Sequence, residues 1–189
     1  MNIAEILGFI TGALCVLLAV RKHMWNWPVG IANNVFFFVL FWRSKLYADA
    51  SLQIFYVLIA VYGWWLWLYG GEGRSELSVT RAGRKVAAQL LLVCGAVTTA
   101  IYFLLRTFTD STVPMADALT TALSLVAQYM LGRKLIENWA VWITADIIYI
   151  ALYWYKHLYI TAGLYAIFIC MCIAGFSHWQ RGSRAIGAE

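Results

Sequence analysis

Charged residues are spaced along this chain so as to leave seven long stretches almost without them. The runs Ile6 to Val20, His23 to Trp42, Ala50 to Gly71, Val86 to Leu105, Ala118 to Gly132, Asn138 to Tyr155 and His157 to Gln180 hold no Asp, Glu, Lys or Arg, except for Asp146 in the sixth. A charge at the centre of a bilayer costs about 2.5–3.5 kcal/mol on insertion scales, and about 20 apolar residues cross the hydrocarbon core as a helix. Each run therefore reads as one spanning helix, and the chain as an all-α membrane protein of seven transmembrane helices. The first and fifth runs are short. They extend past a flanking acid, Glu5 or Asp117, whose carboxylate suits the positive end of a helix dipole. Seven spans use up the 189 residues and leave no room for a soluble catalytic domain.

Disorder is excluded because aromatic residues make up 16% of the chain, far more than disordered segments carry. The net charge of +5 reads as a topology signal and implies no nucleic-acid partner. With seven spans, Arg43, Lys45, Arg106 and Lys156 fall on the N-terminal side. Arg21, Lys22, Arg74, Arg81, Arg84, Lys85, Arg133, Lys134, Arg181 and Arg184 fall on the other. By the positive-inside rule this four-to-ten split puts the N-terminus outside and the C-terminus in the cytoplasm. The first positive charges follow the first apolar run and do not precede it, so that run reads as a retained helix and not as a signal peptide. Cys15, Cys94, Cys170 and Cys172 lie within spans, where thiols act as small apolar groups, and Cys170 and Cys172 are spaced too far apart around the helix to chelate one metal together.

The second half of the chain overlies the first at a shift of 112 residues without a gap. Arg21-Lys22 meets Arg133-Lys134, Asn26-Trp27 meets Asn138-Trp139, and Val29 and Ile31 meet Val141 and Ile143. Leu40, Trp42 and Leu46-Tyr47 meet Leu152, Trp154 and Leu158-Tyr159. Ala50, Leu52, Gly63 and Trp67 meet Ala162, Leu164, Gly175 and Trp179. The chain thus reads as a single transmembrane domain over 1–189, with three-helix repeats at about 4–70 and 115–180 and an unrepeated linker helix at about 84–106. One connecting helix after a unit of three returns the second unit in the same orientation. The repeats are then parallel, a transporter design that places a binding site between the halves near mid-membrane.

Asp146 is the one carboxylate deep inside a span, and no Lys or Arg occurs at comparable depth to neutralise it. A residue so costly to bury marks a partner, a hydrated cavity or a cationic ligand. Trp139, Trp142, Asp146, Tyr149 and Tyr153 follow at intervals of 3, 4, 3 and 4 and share one helical face. A single negative charge among aromatic faces suits a planar or quaternary organic cation. The matching face of the second helix reads Trp27, Gly30, Asn34, Phe37 and Phe41, which sets Asn34 opposite Asp146 and leaves space where Trp142 stands in the other half.

Gln53 opens a similar stripe in the third helix, with Tyr56, Ala60, Trp64 and Trp67, and offers amide donors to a hydroxyl. Gln128 does likewise from the fifth, and for each glutamine an interhelical hydrogen bond is an equal alternative. Asn33 is a further polar residue at depth, and Gln89, on the unrepeated helix, suits a packing or subunit contact. Gly8 and Gly12 form a GxxxG spacing for close helix packing. Pro28 and Pro114 sit where a missing N–H costs little, and Trp25, Tyr69 and Tyr159 suit the interfacial belt.

Membrane-embedded catalysis finds little support. Aspartyl proteolysis needs two facing acids, metalloproteolysis needs HExxH, and a retinal Schiff base needs a lysine in the last span; the chain has none of these arrangements. No catalytic residue, metal or cofactor is expected.

The blocks WNWPVGIANN, LYADASLQIFYVLIAVYGWWLW, GRKLIENWAVWITAD and LYITAGLYAIF closely resemble the PnuC family of vitamin transporters, over essentially the whole chain. The resemblance implies a three-plus-one-plus-three helix arrangement similar to the SWEET sugar carriers. It also implies facilitated diffusion of nicotinamide riboside across the bacterial inner membrane, trimer formation, and a cytosolic kinase that traps the vitamin. Other members carry thiamine, riboflavin or deoxynucleosides. Trp139, Trp142 and Asp146 match the family's WxxW substrate motif and the polar residue four positions later, and Asn34 and Gln53 follow from the same likeness. Some members have asparagine at the position of Asp146. The carboxylate favours a cationic vitamin, and nicotinamide riboside and thiamine are both cations. With no second buried carboxylate for a proton relay, uniport is expected.

Overall fold

A computed structural model describes residues 3–43, 47–109, 111–155, 157 and 159–186. They form seven α-helices: α1 (Ile3–Val20), α2 (Asn26–Arg43), α3 (Tyr47–Tyr69), α4 (Arg84–Phe108), α5 (Pro114–Gly132), α6 (Asn138–Tyr155) and α7 (Tyr159–Ile186). Each falls on one of the seven runs. α5 begins at Pro114, so Asp117 does lie in its first turn, and its carboxylate accepts the Ser111 hydroxyl at 2.7 Å. α2 starts three residues later than the run beginning at His23, because His23 to Trp25 close the preceding turn. Lys45, Leu46, Lys156 and Leu158 lie outside the described residues.

Three helical segments, Ala50–Tyr69, Arg84–Phe108 and Thr161–Arg181, are long and apolar enough to cross a membrane by length and composition; Ile10–Val20 is a shorter apolar one. α2, α5 and α6 fall short of that measure. Their mean hydropathy is diluted by Asn33, Asn34, Ser124, Gln128 and Asp146, and these residues point inward. Outward, the bundle is greasy: Leu91, Leu92, Phe103 and Phe108 on α4 and Phe55 and Leu58 on α3 are exposed. Apolar side chains outside and polar ones within suit a lipid environment.

Contacts recur at the 112-residue offset. α2 packs on α1 and α3 as α6 packs on α5 and α7, while α3 meets α5 and α7 meets α1. The turns after α1 and α5 carry matching hydrogen bonds, Lys22 N–H to Ala19 O and Lys134 N–H to Leu131 O, both 3.0 Å. Lys22 and Lys134 both take the left-handed conformation, with φ of 54° and 49°, which reverses the chain in few residues. The Trp67 indole N–H donates to Leu131 O at 3.1 Å, and Trp179 donates to Ala19 O at 3.1 Å. Each bond ties a helix of one half to a helix of the other.

Four indoles fill the centre at this end. Trp27, Trp67, Trp139 and Trp179 are all buried. Trp27 meets Trp67 edge-on at 5.3 Å, Trp139 meets Trp179 the same way at 5.3 Å, and Trp67 and Trp179 lie 6.2 Å apart. Glycine makes room for them. A Cβ at Gly175 would stand 2.6 Å from Trp139 Cζ2, and one at Gly63 would collide with the Trp27 ring in the same way.

The segment between α3 and α4 breaks the recurrence. After a 3-10 turn at Glu72–Arg74, it runs as a strap across the α5–α6 turn. Thr80 N–H donates to Lys134 O at 3.1 Å, Ile136 N–H to Thr80 O at 3.0 Å, and Ala82 N–H to Glu137 Oε2 at 2.9 Å. Lys134, one of the ten basic residues counted on the more basic side, is buried. Its ammonium donates to Leu77 O at 2.7 Å and lies 4.5 Å from the centre of the Trp67 ring.

Candidate functional site

Between α1, α2, α3, α5, α6 and α7 lies a cavity of about 400 Å³. Eight residues singled out from the sequence line it: Asn34 from α2, Gln53 and Tyr56 from α3, Gln128 from α5, and Trp139, Trp142, Asp146 and Tyr149 from α6. Helical periodicity explains why residues so far apart in sequence converge, since each stripe is the inward face of its helix. Ten pairs of lining residues stand 112 positions apart. They are Gly12 and Ser124, Val16 and Gln128, Ala19 and Leu131, Trp27 and Trp139, Gly30 and Trp142, Asn34 and Asp146, Phe37 and Tyr149, Gln53 and Tyr165, Tyr56 and Phe168, and Ala60 and Cys172.

The two members of a pair differ in chemistry, and this polarises the cavity. α1 and α2 contribute small residues at Gly12 and Gly30 where α5 and α6 contribute Ser124 and Trp142. The charge and the rings of Trp142, Tyr149 and Tyr165 come from α6 and α7. Amides come from Asn33, Asn34, Gln53 and Gln128. Asp146 is buried at 4% exposure. The Cys172 thiol lies 4.0 Å from its Oδ2, and among the described residues no Lys, Arg or His lines the cavity. The indole N–H groups of Trp27 and Trp139 and the Asn33 side-chain oxygen are buried without a hydrogen-bond partner. Unsatisfied polar atoms at a cavity wall are costly unless something in the cavity pairs with them.

Several sequence expectations are corrected. Tyr153 does not line the cavity; it stacks on Tyr149 at 5.9 Å and packs against Tyr165 at 5.2 Å. Trp64 and Trp67 leave the α3 stripe, because beyond Ala60 the helix meets α5 and its indoles join the core. The side chain of Phe41 lies outside the described residues. Gly8 and Gly12 do not simply bring two backbones together, since Gly8 packs under the Phe37 ring and Gly12 faces the cavity. The cysteines divide. Cys15 and Cys172 line the cavity, a role their apolar surroundings in sequence did not signal. Tyr165, Phe168 and Ser124 also went unnoticed, although shifting Gln53, Tyr56 and Gly12 by 112 residues points to them. Gln89 lines a separate, largely apolar groove of about 1290 Å³ between α3, α4 and α5. Among the described residues no group of His, Cys, Asp or Glu could hold a metal ion.

Residues 2–181 match the family described as nicotinamide mononucleotide transporter. The chain belongs to that family. It is 27% identical to the nicotinamide riboside transporter PnuC of Escherichia coli K12, covering 96% of this chain and 89% of that one. It is 24% identical to the riboflavin/roseoflavin transporter RibM of Streptomyces davaonensis, covering 96% and 86%. The crystal structure of the vitamin B3 transporter PnuC shares the fold, with a TM-score of 0.68 at 22% identity over 92% of this chain and 79% of that one. The resemblance read from the WNWPVGIANN and GRKLIENWAVWITAD blocks is therefore correct, and the chain is a helical, multi-pass membrane protein of a transporter family.

Proposed function

We propose that this protein carries a cationic vitamin across the bacterial inner membrane, with nicotinamide riboside as first substrate and thiamine as second. The observation that carries this reading is the buried Asp146 carboxylate, set in an aromatic cavity that no basic side chain among the described residues enters. Such a carboxylate calls for a cation from outside the protein. Trp142 and Tyr149 offer π-faces to a charged heteroaromatic ring. Asn34, Gln53, Tyr56 and Gln128 offer hydrogen bonds to an attached sugar or alcohol, and Trp139 lines the cavity with its indole packed on Trp179. Neutral riboflavin, suggested by the relative RibM, makes no use of the carboxylate.

All seven helices span the bilayer in this reading, as two parallel three-helix units, about 4–70 and 115–180, joined by the linker helix at about 84–106. The recurring turns, indole bonds and cavity pairs support that symmetry. The ten-to-four charge split places the N-terminus outside and the C-terminus in the cytoplasm. The end held by the four indoles then faces the cytoplasm, and the two units part there to release substrate. The substrate's own concentration difference drives uptake, and a cytosolic kinase maintains it. Three copies assemble as a homotrimer.

The test is uptake of radiolabelled nicotinamide riboside and of thiamine into proteoliposomes, each in competition with the other. Saturable uptake of at least one is expected. Saturable uptake of neither refutes the vitamin-carrier reading.

A further inference from the structure

The groove between α3, α4 and α5 is separate from the central cavity and has a basic mouth. α4 packs chiefly on α5, and the space left beside it, about 1290 Å³, is lined along α4 from Val86 to Leu105, mostly by apolar side chains. At 1.5 Å per residue that stretch is about 29 Å long, the height of the hydrocarbon core. α4 and α5 are packed neighbours joined by a short connection, so the start of α4 and the end of α5 share one side of the membrane. Arg133 lines the groove there. Its guanidinium donates to the Tyr129 hydroxyl at 3.1 Å, and the Tyr129 ring lies parallel to that of Tyr62 at 6.3 Å, which holds the cation at the rim. Arg84 and Lys85 immediately precede Val86, and the strap brings Arg81 alongside, since Thr80 N–H bonds Lys134 O at 3.1 Å. All four basic residues are exposed. Among the described residues none of them is paired with a carboxylate, and Glu137, an acid beside them, accepts the Ala82 N–H at 2.9 Å.

We propose that this groove binds one anionic diacyl phospholipid, its phosphate held by Arg133, Arg84 and Lys85 and its acyl chains laid between α4 and α5. An apolar slot that ends in unpaired cations matches both ends of such a molecule, and basic pockets between spans are where anionic headgroups settle. Arginine N–H groups suit phosphate oxygens, and Gln89, which lines the groove one turn in from the mouth, has an amide to donate to an ester carbonyl. The depth agrees as well. Tyr149 lines both the groove and the central cavity, and it stands about 16 Å along α6 from the start of that helix on the basic side. One leaflet of the hydrocarbon core is about 15 Å deep, so the acyl chains end against the back of a side chain whose other face meets the substrate cavity. A zwitterionic lipid fits less well, because it adds an ammonium to a mouth already basic. A second copy of the chain fits less well for the same reason, since copies lie the same way up in a membrane and bring the same basic side together. The orientation proposed above makes this the cytoplasmic leaflet; the site itself does not depend on that orientation.

The full chain, freed of lipid in detergent, is titrated with phosphatidylglycerol and with phosphatidylcholine of the same acyl chains, and bound lipid is counted by native mass spectrometry. One phosphatidylglycerol per chain should bind at least tenfold more tightly than phosphatidylcholine. Arg133→Gln, Arg84→Gln and Lys85→Gln, all at exposed positions, should each weaken phosphatidylglycerol about fivefold and leave phosphatidylcholine unchanged. Arg21→Gln, on the same side but away from the groove, should change neither. Val93→Trp, which fills the slot from an exposed position of α4, should weaken both lipids. Glycerol phosphate, the headgroup chemistry without chains, should not displace the bound lipid. Equal binding of the two lipids overturns the proposal, and so does a preference that Arg21→Gln lowers as much as Arg133→Gln, which is general attraction to a basic surface. Displacement by glycerol phosphate overturns it in favour of a soluble phosphate. Loss of the oligomer in Val93→Trp with lipid binding unchanged overturns it in favour of a second copy. None of these measurements involves the vitamin, so the transport reading stands or falls separately.

Discussion

If the four-tryptophan end must open for release, the two indole hydrogen bonds across it set part of the barrier, and replacing either donor measures that part. Trp179→Phe removes the N–H shared between Ala19 O at 3.1 Å and Val20 O at 3.2 Å, and Trp67→Phe removes the one on Leu131 O. A buried hydrogen bond contributes about 0.5–1.5 kcal/mol net, and more when its loss strands the partner. Here the nearer acceptor in each bond is not stranded. Ala19 O still accepts Lys22 N–H and Leu131 O still accepts Lys134 N–H, so the bond itself is placed near 1 kcal/mol. The two sites are not equal, because the Lys134 ammonium lies 4.5 Å from the Trp67 ring and no cation among the described residues covers Trp179. A cation over an indole contributes about 0.5–1 kcal/mol at exposed sites and more when desolvated, and phenylalanine keeps only part of it. Trp67→Phe should therefore cost the closed end a few tenths of a kcal/mol more than Trp179→Phe.

At about 1.4 kcal/mol per tenfold, either change should open the four-tryptophan end roughly fivefold more often. The assay is alkylation of Cys15 in the cavity by a membrane-impermeant maleimide, applied from the side of the 21–25 turn, with Cys94, Cys170 and Cys172 replaced by alanine. The rate should rise several-fold in both variants, and thermal stability in detergent should fall in the same order. Unchanged alkylation in both would show that the tryptophan end does not close the pathway. A change confined to one would show that the two halves do not part symmetrically.

Two further expectations follow from single side chains. Trp142→Ala should weaken substrate binding about tenfold or more while leaving the fold intact, because it lines the cavity opposite the space left by Gly30; wild-type affinity by calorimetry would remove it from the site. Lys134 sits in the α5–α6 turn, where burial lowers its pKa against a smaller raising effect of Glu76. The unfolded chain thus binds the proton more tightly, and wild-type stability relative to Lys134→Met should rise as pH climbs through the folded pKa towards the unfolded value of about 10.4. A difference in melting temperature that stays flat from pH 7.5 to 10.5 contradicts this account of the buried ammonium.

The helices were legible because membrane burial imposes one requirement, absence of charge over a helix length, and the seven runs meet it in plain view. The cavity was legible for a related reason. Polar residues at depth must face inward, so Asn34, Gln53, Gln128 and Asp146 announce its walls, and helical spacing adds Trp139, Trp142, Tyr149 and Tyr56. Residues that line it without being costly in lipid leave no such mark: Phe168, Cys172 and Ser124 look like packing until their partners at the 112-residue shift are known to face the cavity. The same blindness explains Tyr153, which keeps the right spacing on α6 but finds tyrosines on α6 and α7 before it reaches open space.

Lys134 is the opposite case, a costly buried residue that nothing in the sequence marks as buried. Charges in a turn between spans ordinarily stay in water, and its counterpart Lys22 shares its backbone conformation. What separates them is the strap of 77–82, whose carbonyl at Leu77 and bridge at Thr80 cover Lys134; no described segment lies in this way over Lys22. The turn after α5 is thereby bound to α3 through Lys134, Leu77 and Trp67, whereas the turn after α1 is held to α7 by the Trp179 indole on Ala19 and Val20. If the units rock apart, the strapped contact is the one that resists, so the α1–α7 contact should open first. Severing the Lys134 to Leu77 bond should then narrow the difference between the two.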